Sequence, residues 1–194
     1  MKLYGTTTSP YVRKIRILAR AAAVPFEFVD TRTEAGGAAY ARIAPAGKVP
    51  VVELPDGRVL PDSDLIASFL WTNHVDALRK AGFSLAPDAW EDRARQIVVE
   101  TALDSAINRF YLRKDGVADA GYVAKQQARV ETCLVWLDRQ ASFGTPIGHA
   151  TLSLGCALDW MVFREVVDLA AYSNLSALRT AWTASGVGKG TEPG

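Results

Sequence analysis

Near the start of the chain, apolar residues recur at helical spacing. Val12, Ile15, Leu18, Ala19 and Ala22 form one stripe, while Arg13, Lys14, Arg16 and Arg20 lie mostly elsewhere on the wheel. The spacing predicts a helix starting at Pro10 with Ser9 as its N-cap. A serine oxygen accepts from a first-turn N–H, and proline's missing donor costs nothing at the first helical position. The apolar stripe is expected to face a core and the remainder to face water. Lys2-Leu3-Tyr4-Gly5 alternates and reads as a strand. Ser9 therefore stands where a strand end feeds a helix N-terminus, the place where open α/β sheets bind ligands.

Further along, Pro25 to Asp30 alternates and predicts a second strand. Thr31 to Ala39, with its Gly36-Gly37 pair, reads as a loop leading to a short helix near Ala38 to Ile43. Gly47 to Leu54 and Arg58-Val59-Leu60 flank Pro55-Asp56-Gly57, which predicts a hairpin. Pro61-Asp62-Ser63-Asp64 is a capping signature ahead of the helical run Leu65 to Trp71. The order through this region is βαβαββα. Ala81-Gly82, Pro87 and Asp88 then mark a linker, so the expected division is residues 1–78, a linker at 79–88, and a domain at 89–194. That last domain reads as all-helical. Trp90 to Lys114 and Tyr122 to Gln140 are separated by Asp115-Gly116, and a loop from Ala141 to His149 introduces Leu152 to Val167, the most apolar segment, around which the others are expected to pack. Ser185 to Gly194, with four glycines, is expected to fray.

Composition narrows the function. With 194 residues, 49% of them hydrophobic, and a net charge of +1, the chain can bury a sizeable core and has no basic, aromatic-interleaved run of the kind nucleic acid requires. No apolar leader or membrane span is apparent, so a cytoplasmic protein is expected. Cys133 and Cys156 sit in helical apolar patterns and read as small buried hydrophobes rather than a disulfide framework. His74 and His149 have no partner at ligand spacing, so no metal is expected.

Several segments in this order carry a family resemblance. They are Thr8-Ser9-Pro10-Tyr11-Val12-Arg13-Lys14, Gly47-Lys48-Val49-Pro50-Val51, Asp62-Ser63 before a helix, and Gly155-Cys156-Ala157-Leu158-Asp159-Trp160 followed by Phe163-Arg164. The chain resembles the glutathione S-transferases, in particular small bacterial members whose N-terminus reads T-S-P-[FY]-V-R-K. The resemblance implies a thioredoxin-like βαβαββα domain that holds glutathione, an all-helical domain that supplies most of the second substrate's pocket, and a homodimer. It also implies a cis bond at Val49-Pro50, with the Val49 backbone pairing with the cysteinyl part of glutathione.

On this resemblance Ser9 donates its hydroxyl to the glutathione thiolate, and it can do so while capping, because a hydroxyl oxygen accepts one bond and its proton donates another. Ser9 as a cap alone is the other reading. Asp62 would take the γ-glutamyl ammonium and Ser63 the adjoining carboxylate, unless the pair is simply another cap. Lys48 would meet the glycyl carboxylate or remain solvated, and Arg13 is a further candidate. The electrophile, a small hydrophobic molecule, is expected between the first helix and the helix carrying Asn108 and Tyr111; Trp160 could line it but reads better as core. Arg93, Arg95 and Glu100 are candidates for the dimer interface. The alternatives are a binding protein without turnover and a glutathione-dependent isomerase, dehalogenase or peroxidase. Three departures from the family pattern stand out. The late helix has Gly148 and Thr151 where a Ser/Thr-x-x-Asp capping box is usual, and the tail keeps Thr191-Glu192-Pro193 without a preceding aromatic. The cap position also lacks a cysteine, which disfavours a mixed-disulfide mechanism.

Overall fold

The computed structural model describes residues 1–85, 89–117, 121–140 and 146–194. These fall into two compact units, Met1–Pro87 with Gly188–Gly194, and Asp88–Val187. Residues 86–88 of the expected linker and 141–145 of the expected loop lie outside the described residues.

The first unit runs β1 (Lys2–Gly5), α1 (Pro10–Ala21), β2 (Glu27–Asp30), α2 (Glu34–Ala41), β3 (Val51–Glu53), β4 (Val59–Pro61) and α3 (Ser63–Lys80). The sheet order is β2-β1-β3-β4, with β1 and β2 parallel and the other pairs antiparallel. Strand alternation sends neighbours to opposite faces. Tyr4 and Val51 pack with Ala39 and Tyr40 of α2, while Leu3 and Val52, both fully buried, belong to the other face. There α1 and α3 pack on each other, burying Val12, Ile15, Leu18, Ile66 and Leu70.

Three expectations need correction in this unit. Gly36 and Gly37 are not in a loop: α2 starts at Glu34, capped by Thr33, whose hydroxyl accepts from Gly36 N at 3.1 Å. Glycine is required there by proximity, since a Cβ on Gly36 would lie 2.1 Å from the Asp30 carbonyl oxygen. Arg13 and Lys14 do not face water; each is 3% exposed, because the tail and the start of α3 cover that side of α1. The tail itself does not fray. It packs in this first unit, and Thr191 is 1% exposed.

The second unit consists of α4 (Trp90–Lys114), α5 (Gly121–Asp138), α6 (His149–Phe163), a 3-10 turn at Leu169–Ala171 and α7 (Ser173–Ser185). Helix α6 is buried from Leu152 through Met161 and packs against α4 and α7, but the expected packing of every other helix around it does not hold, since α5 packs on α4 and α7 instead. It begins at His149, three residues before the expected Leu152, and ends at Phe163 rather than Val167. The earlier start comes from a cap supplied in trans. Gly148 offers no side chain, and the Asp92 carboxylate of α4 instead accepts from His149 N and, at 3.2 Å, from Ala150 N. Arg93 and Glu100, candidates for an interface between copies, are half-buried and make hydrogen bonds within the unit. Arg93 Nη1 donates to Gln96 Oε1 at 2.6 Å, and Glu100 accepts from Gln96 at 2.7 Å and from Ser153 at 3.2 Å.

Candidate functional site

Strand register places the candidate residues of the first unit at one end of the sheet. Val51, next after Pro50, pairs with Tyr4 on one side and with Pro61 on the other. The segment after Tyr4 leads to Ser9, the segment before Val51 holds Lys48-Val49-Pro50, and Pro61 leads straight into Asp62-Ser63. These three chain segments leave the sheet at the same end.

Ser9 is the N-cap of α1, with an extended backbone (φ −77°, ψ 124°) and its Oγ accepting from Val12 N at 3.3 Å. It is half-buried, and its own N–H donates to the Thr6 carbonyl at 3.2 Å. The neighbouring hydroxyls are engaged elsewhere: Thr6 and Thr8 lie 3.3 Å apart, and Thr7 accepts from Arg32 Nη2 at 3.1 Å. The Val49-Pro50 peptide bond is cis, as the resemblance implies. Pro50 is buried, Val49 half-buried and Lys48 exposed.

At the start of α3, Asp62 adopts φ 72°, ψ 139°, a conformation that non-glycine residues rarely take. Such a backbone costs about 1–3 kcal/mol and is retained where surrounding structure enforces it, often at functional sites. Here Asp62 Oδ1 accepts from Asp64 N at 2.7 Å, which caps the helix, and the carboxylate is exposed. Ser63 is 5% exposed in the first turn. The two helix starts are tied together by Lys14 Nζ, which donates to Asp64 Oδ1 at 2.7 Å. Two helix N-termini, each with partial positive charge, thus share one end of the unit with one exposed carboxylate.

The fold has counterparts among known proteins. Residues 3–77 match the family described as Glutathione S-transferase, N-terminal domain. A glutathione S-transferase from Methylobacillus flagellatus, solved with glutathione bound, superposes with a TM-score of 0.84 at 26% identity, covering 100% of this chain and 99% of that one. The fold is that of the glutathione S-transferases. A second glutathione S-transferase, from Methylobacterium radiotolerans in complex with glutathione sulfonate, gives a TM-score of 0.83 at 24% identity, covering 99% and 94% of the two chains. The "uncharacterized GST-like protein YibF" of Escherichia coli is 28% identical over 188 residues, 86% of this chain and 84% of that one.

The remaining candidates are placed differently. Arg13, on α1, is buried, and its Nε donates to Thr191 Oγ1 at 3.2 Å, so this guanidinium serves the tail. In the helical unit of this glutathione S-transferase fold, Asn108 and Tyr111 stand one turn apart on α4 and are exposed. Trp160 is core, 3% exposed, with its ring 5.9 Å from that of Phe110 and edge-on to it. Among the described residues no group of three or more His, Cys, Asp or Glu side chains could hold a metal ion, and no helix is long and apolar enough to cross a membrane. The features that sequence reasoning missed are the strained Asp62, the Lys14–Asp64 tie, the trans cap from Asp92 and the Arg13–Thr191 contact.

Proposed function

We propose that the chain is a cytoplasmic glutathione transferase, acting as a homodimer, in which Ser9 stabilises the glutathione thiolate for attack on a small hydrophobic electrophile. The observation that carries this reading is the convergence of the Ser9 cap, Val49-Pro50 and Asp62-Ser63 at one end of the sheet. In this reading the Val49 backbone pairs with the cysteinyl residue, and Asp62 receives the γ-glutamyl ammonium. Ser63 and the α3 N-terminus take the adjoining carboxylate, and Lys48 takes the glycyl carboxylate. Asn108 and Tyr111 are the proposed contacts of the electrophile.

The chemistry needs the anion. A thiol with a pKa near 8.5 is mostly neutral at pH 7, and only the thiolate is a good nucleophile. A hydroxyl donating to sulfur contributes about 1.5–3 kcal/mol and a helix N-terminus about 0.3–1 kcal/mol, which together lower the thiol pKa by about one unit or more. Ser9 already accepts from Val12 N, so its proton is the part left to donate. The sulfur then forms a bond to the electrophilic carbon, and the displaced group leaves with the electron pair of the broken bond.

Ultraviolet titration of glutathione bound to the wild type and to Ser9→Ala tests this. The reading expects a bound thiol pKa well below the free value, rising in Ser9→Ala with affinity retained. Glutathione bound with an unshifted thiol would leave a binding protein in place of an enzyme.

A further inference from the structure

The tail of the chain meets α1 through a row of arginines. Arg13, Arg16 and Arg20 are spaced by three and four residues, so they share one face of the helix. Arg20 Nη1 donates to the Lys189 carbonyl at 2.6 Å, Arg16 donates to the Gly190 and Thr191 carbonyls at 3.3 and 3.4 Å, and Arg13 Nε donates to Thr191 Oγ1 at 3.2 Å. The Thr191 hydroxyl donates to the Gly188 carbonyl at 2.6 Å, closing a turn in which the Thr191 N–H donates to the same carbonyl at 3.1 Å. The Thr191 hydroxyl therefore both receives and donates inside the unit, at 1% exposure. The same tail also contacts the other flank of Ser9, because Thr7 Oγ1 donates to the Gly194 carbonyl. Ser9 thus lies between two residues that the tail holds, Thr7 before it and Arg13 after it, and Arg13 is further linked to Ser9 by its N–H on the Ser9 carbonyl at 3.0 Å.

We infer that Thr191 is a positioning residue, which through Arg13 and the arginine row fixes the α1 N-cap and so the orientation of the Ser9 hydroxyl. The claim about the cap stands on the unit's own geometry, while its consequence for the thiolate rests on the function proposed above. A cap is sensitive to small displacements. Its acceptor must stay within hydrogen-bond distance of a first-turn amide, and the Ser9–Val12 bond is already long at 3.3 Å. Holding the chain on both sides of the cap keeps that geometry in place, leaving the hydroxyl proton in one direction.

The test compares the wild type, Thr191→Val, Thr191→Ser and Ser9→Ala, measuring amide hydrogen exchange at Val12 and Ile66 and the pKa of the bound glutathione thiol. Thr191→Val removes both hydroxyl bonds at nearly constant volume, whereas Thr191→Ser keeps them. The expected result is exchange at Val12 about fivefold faster in Thr191→Val, the effect of about one lost hydrogen bond. Ile66 should be unchanged, the bound thiol pKa should rise, and Thr191→Ser should match the wild type on every measure. Unchanged exchange at Val12, or equal acceleration at Ile66, overturns the inference, the second outcome meaning general destabilisation rather than positioning. Should Ser9→Ala leave the thiol pKa unmoved, the transferase reading fails, and the exchange comparison still decides whether the tail positions the cap.

Discussion

The trans cap on α6 makes a prediction whose sign reverses with context. The Asp92 carboxylate serves two first-turn amides, at His149 and Ala150, across a sequence separation of 57 and 58 residues. Asp92→Ala removes an N-cap worth about 0.5–2 kcal/mol and a carboxylate–helix-dipole attraction worth about 0.3–1 kcal/mol. Because α6 is the core of its unit, a stability loss of about 2 kcal/mol is expected. Gly148 has φ −88°, ψ −176°, an extended backbone open to any residue, yet a Cβ there would lie 2.6 Å from Asp92 Oδ2. Gly148→Ser in the wild type should therefore push the carboxylate off the helix end and destabilise. In Asp92→Ala the same serine meets an emptied space and can cap its own helix, so there it should stabilise. Urea unfolding followed by tryptophan fluorescence on the four proteins measures the cycle; Trp90, Trp136, Trp160 and Trp182 report from this unit. Gly148→Ser acting with the same sign in both backgrounds, or Asp92→Ala within about 0.5 kcal/mol of wild type, the usual range for an uninvolved surface position, would refute the reasoning.

Three further outcomes follow from the geometry. Gly36→Ala should cost about 1–3 kcal/mol as an overpacked contact against the Asp30 carbonyl, while Gly37→Ala, whose Cβ would meet only the Thr31 carbonyl at 3.2 Å, should cost little or stabilise; chemical denaturation of both variants checks the contrast. Burial pushes the Cys133 thiol above its ordinary range, so alkylation of the native protein at pH 8 should be slower than that of free cysteine and should accelerate in urea, as mass spectrometry would show. Hydrogen bonds from Arg32 hold the Asp30 carboxyl below its ordinary 3.8, so the pair's small stabilisation is complete above that pH and is lost as pH falls through the depressed folded value. Unfolding midpoints of the wild type and Arg32→Gln should accordingly differ at neutral pH and converge in strong acid.

What could be read from the sequence was mostly what local chemistry decides. The cap at Ser9 and the hairpin around Pro55-Asp56-Gly57 depend on residues a few positions apart, and they appear where the pattern puts them. Local reasoning was misled at Gly36, because a glycine demanded by a neighbouring strand end looks the same as one demanded by a turn. A helical wheel ranks faces by polarity and says nothing of what covers them, so it assigns Arg13 and Lys14 to water although Thr191 and Asp64 lie beside them. Asp92 as a cap for a helix more than fifty residues away leaves no trace beyond an unhelped Gly148. The sequence pattern does not delineate helix α7, because Leu175 and Trp182 are its buried positions and two residues in thirteen make a faint stripe.

The arrangement of charge at this end of the sheet bears on the ligand independently of family. Two helix N-termini favour an anion, and a ligand carrying only negative charge would be repelled by the exposed Asp62 carboxylate that caps one of them. A ligand carrying only positive charge would meet the helix ends. On the function proposed above, a zwitterionic amino-acid head would answer both at once, with its carboxylate at the α3 N-terminus beside Ser63 and its ammonium at Asp62. The φ of 72° at Asp62 points the same way, because a backbone of that kind is retained where the surrounding structure enforces it and is frequent at functional sites. This supports reading Asp62 as a ligand group and a cap together. Asp62→Asn, which keeps a capping oxygen and removes the charge, should therefore weaken glutathione binding while leaving the unfolding midpoint nearly unchanged; equal losses in both would make Asp62 a cap alone.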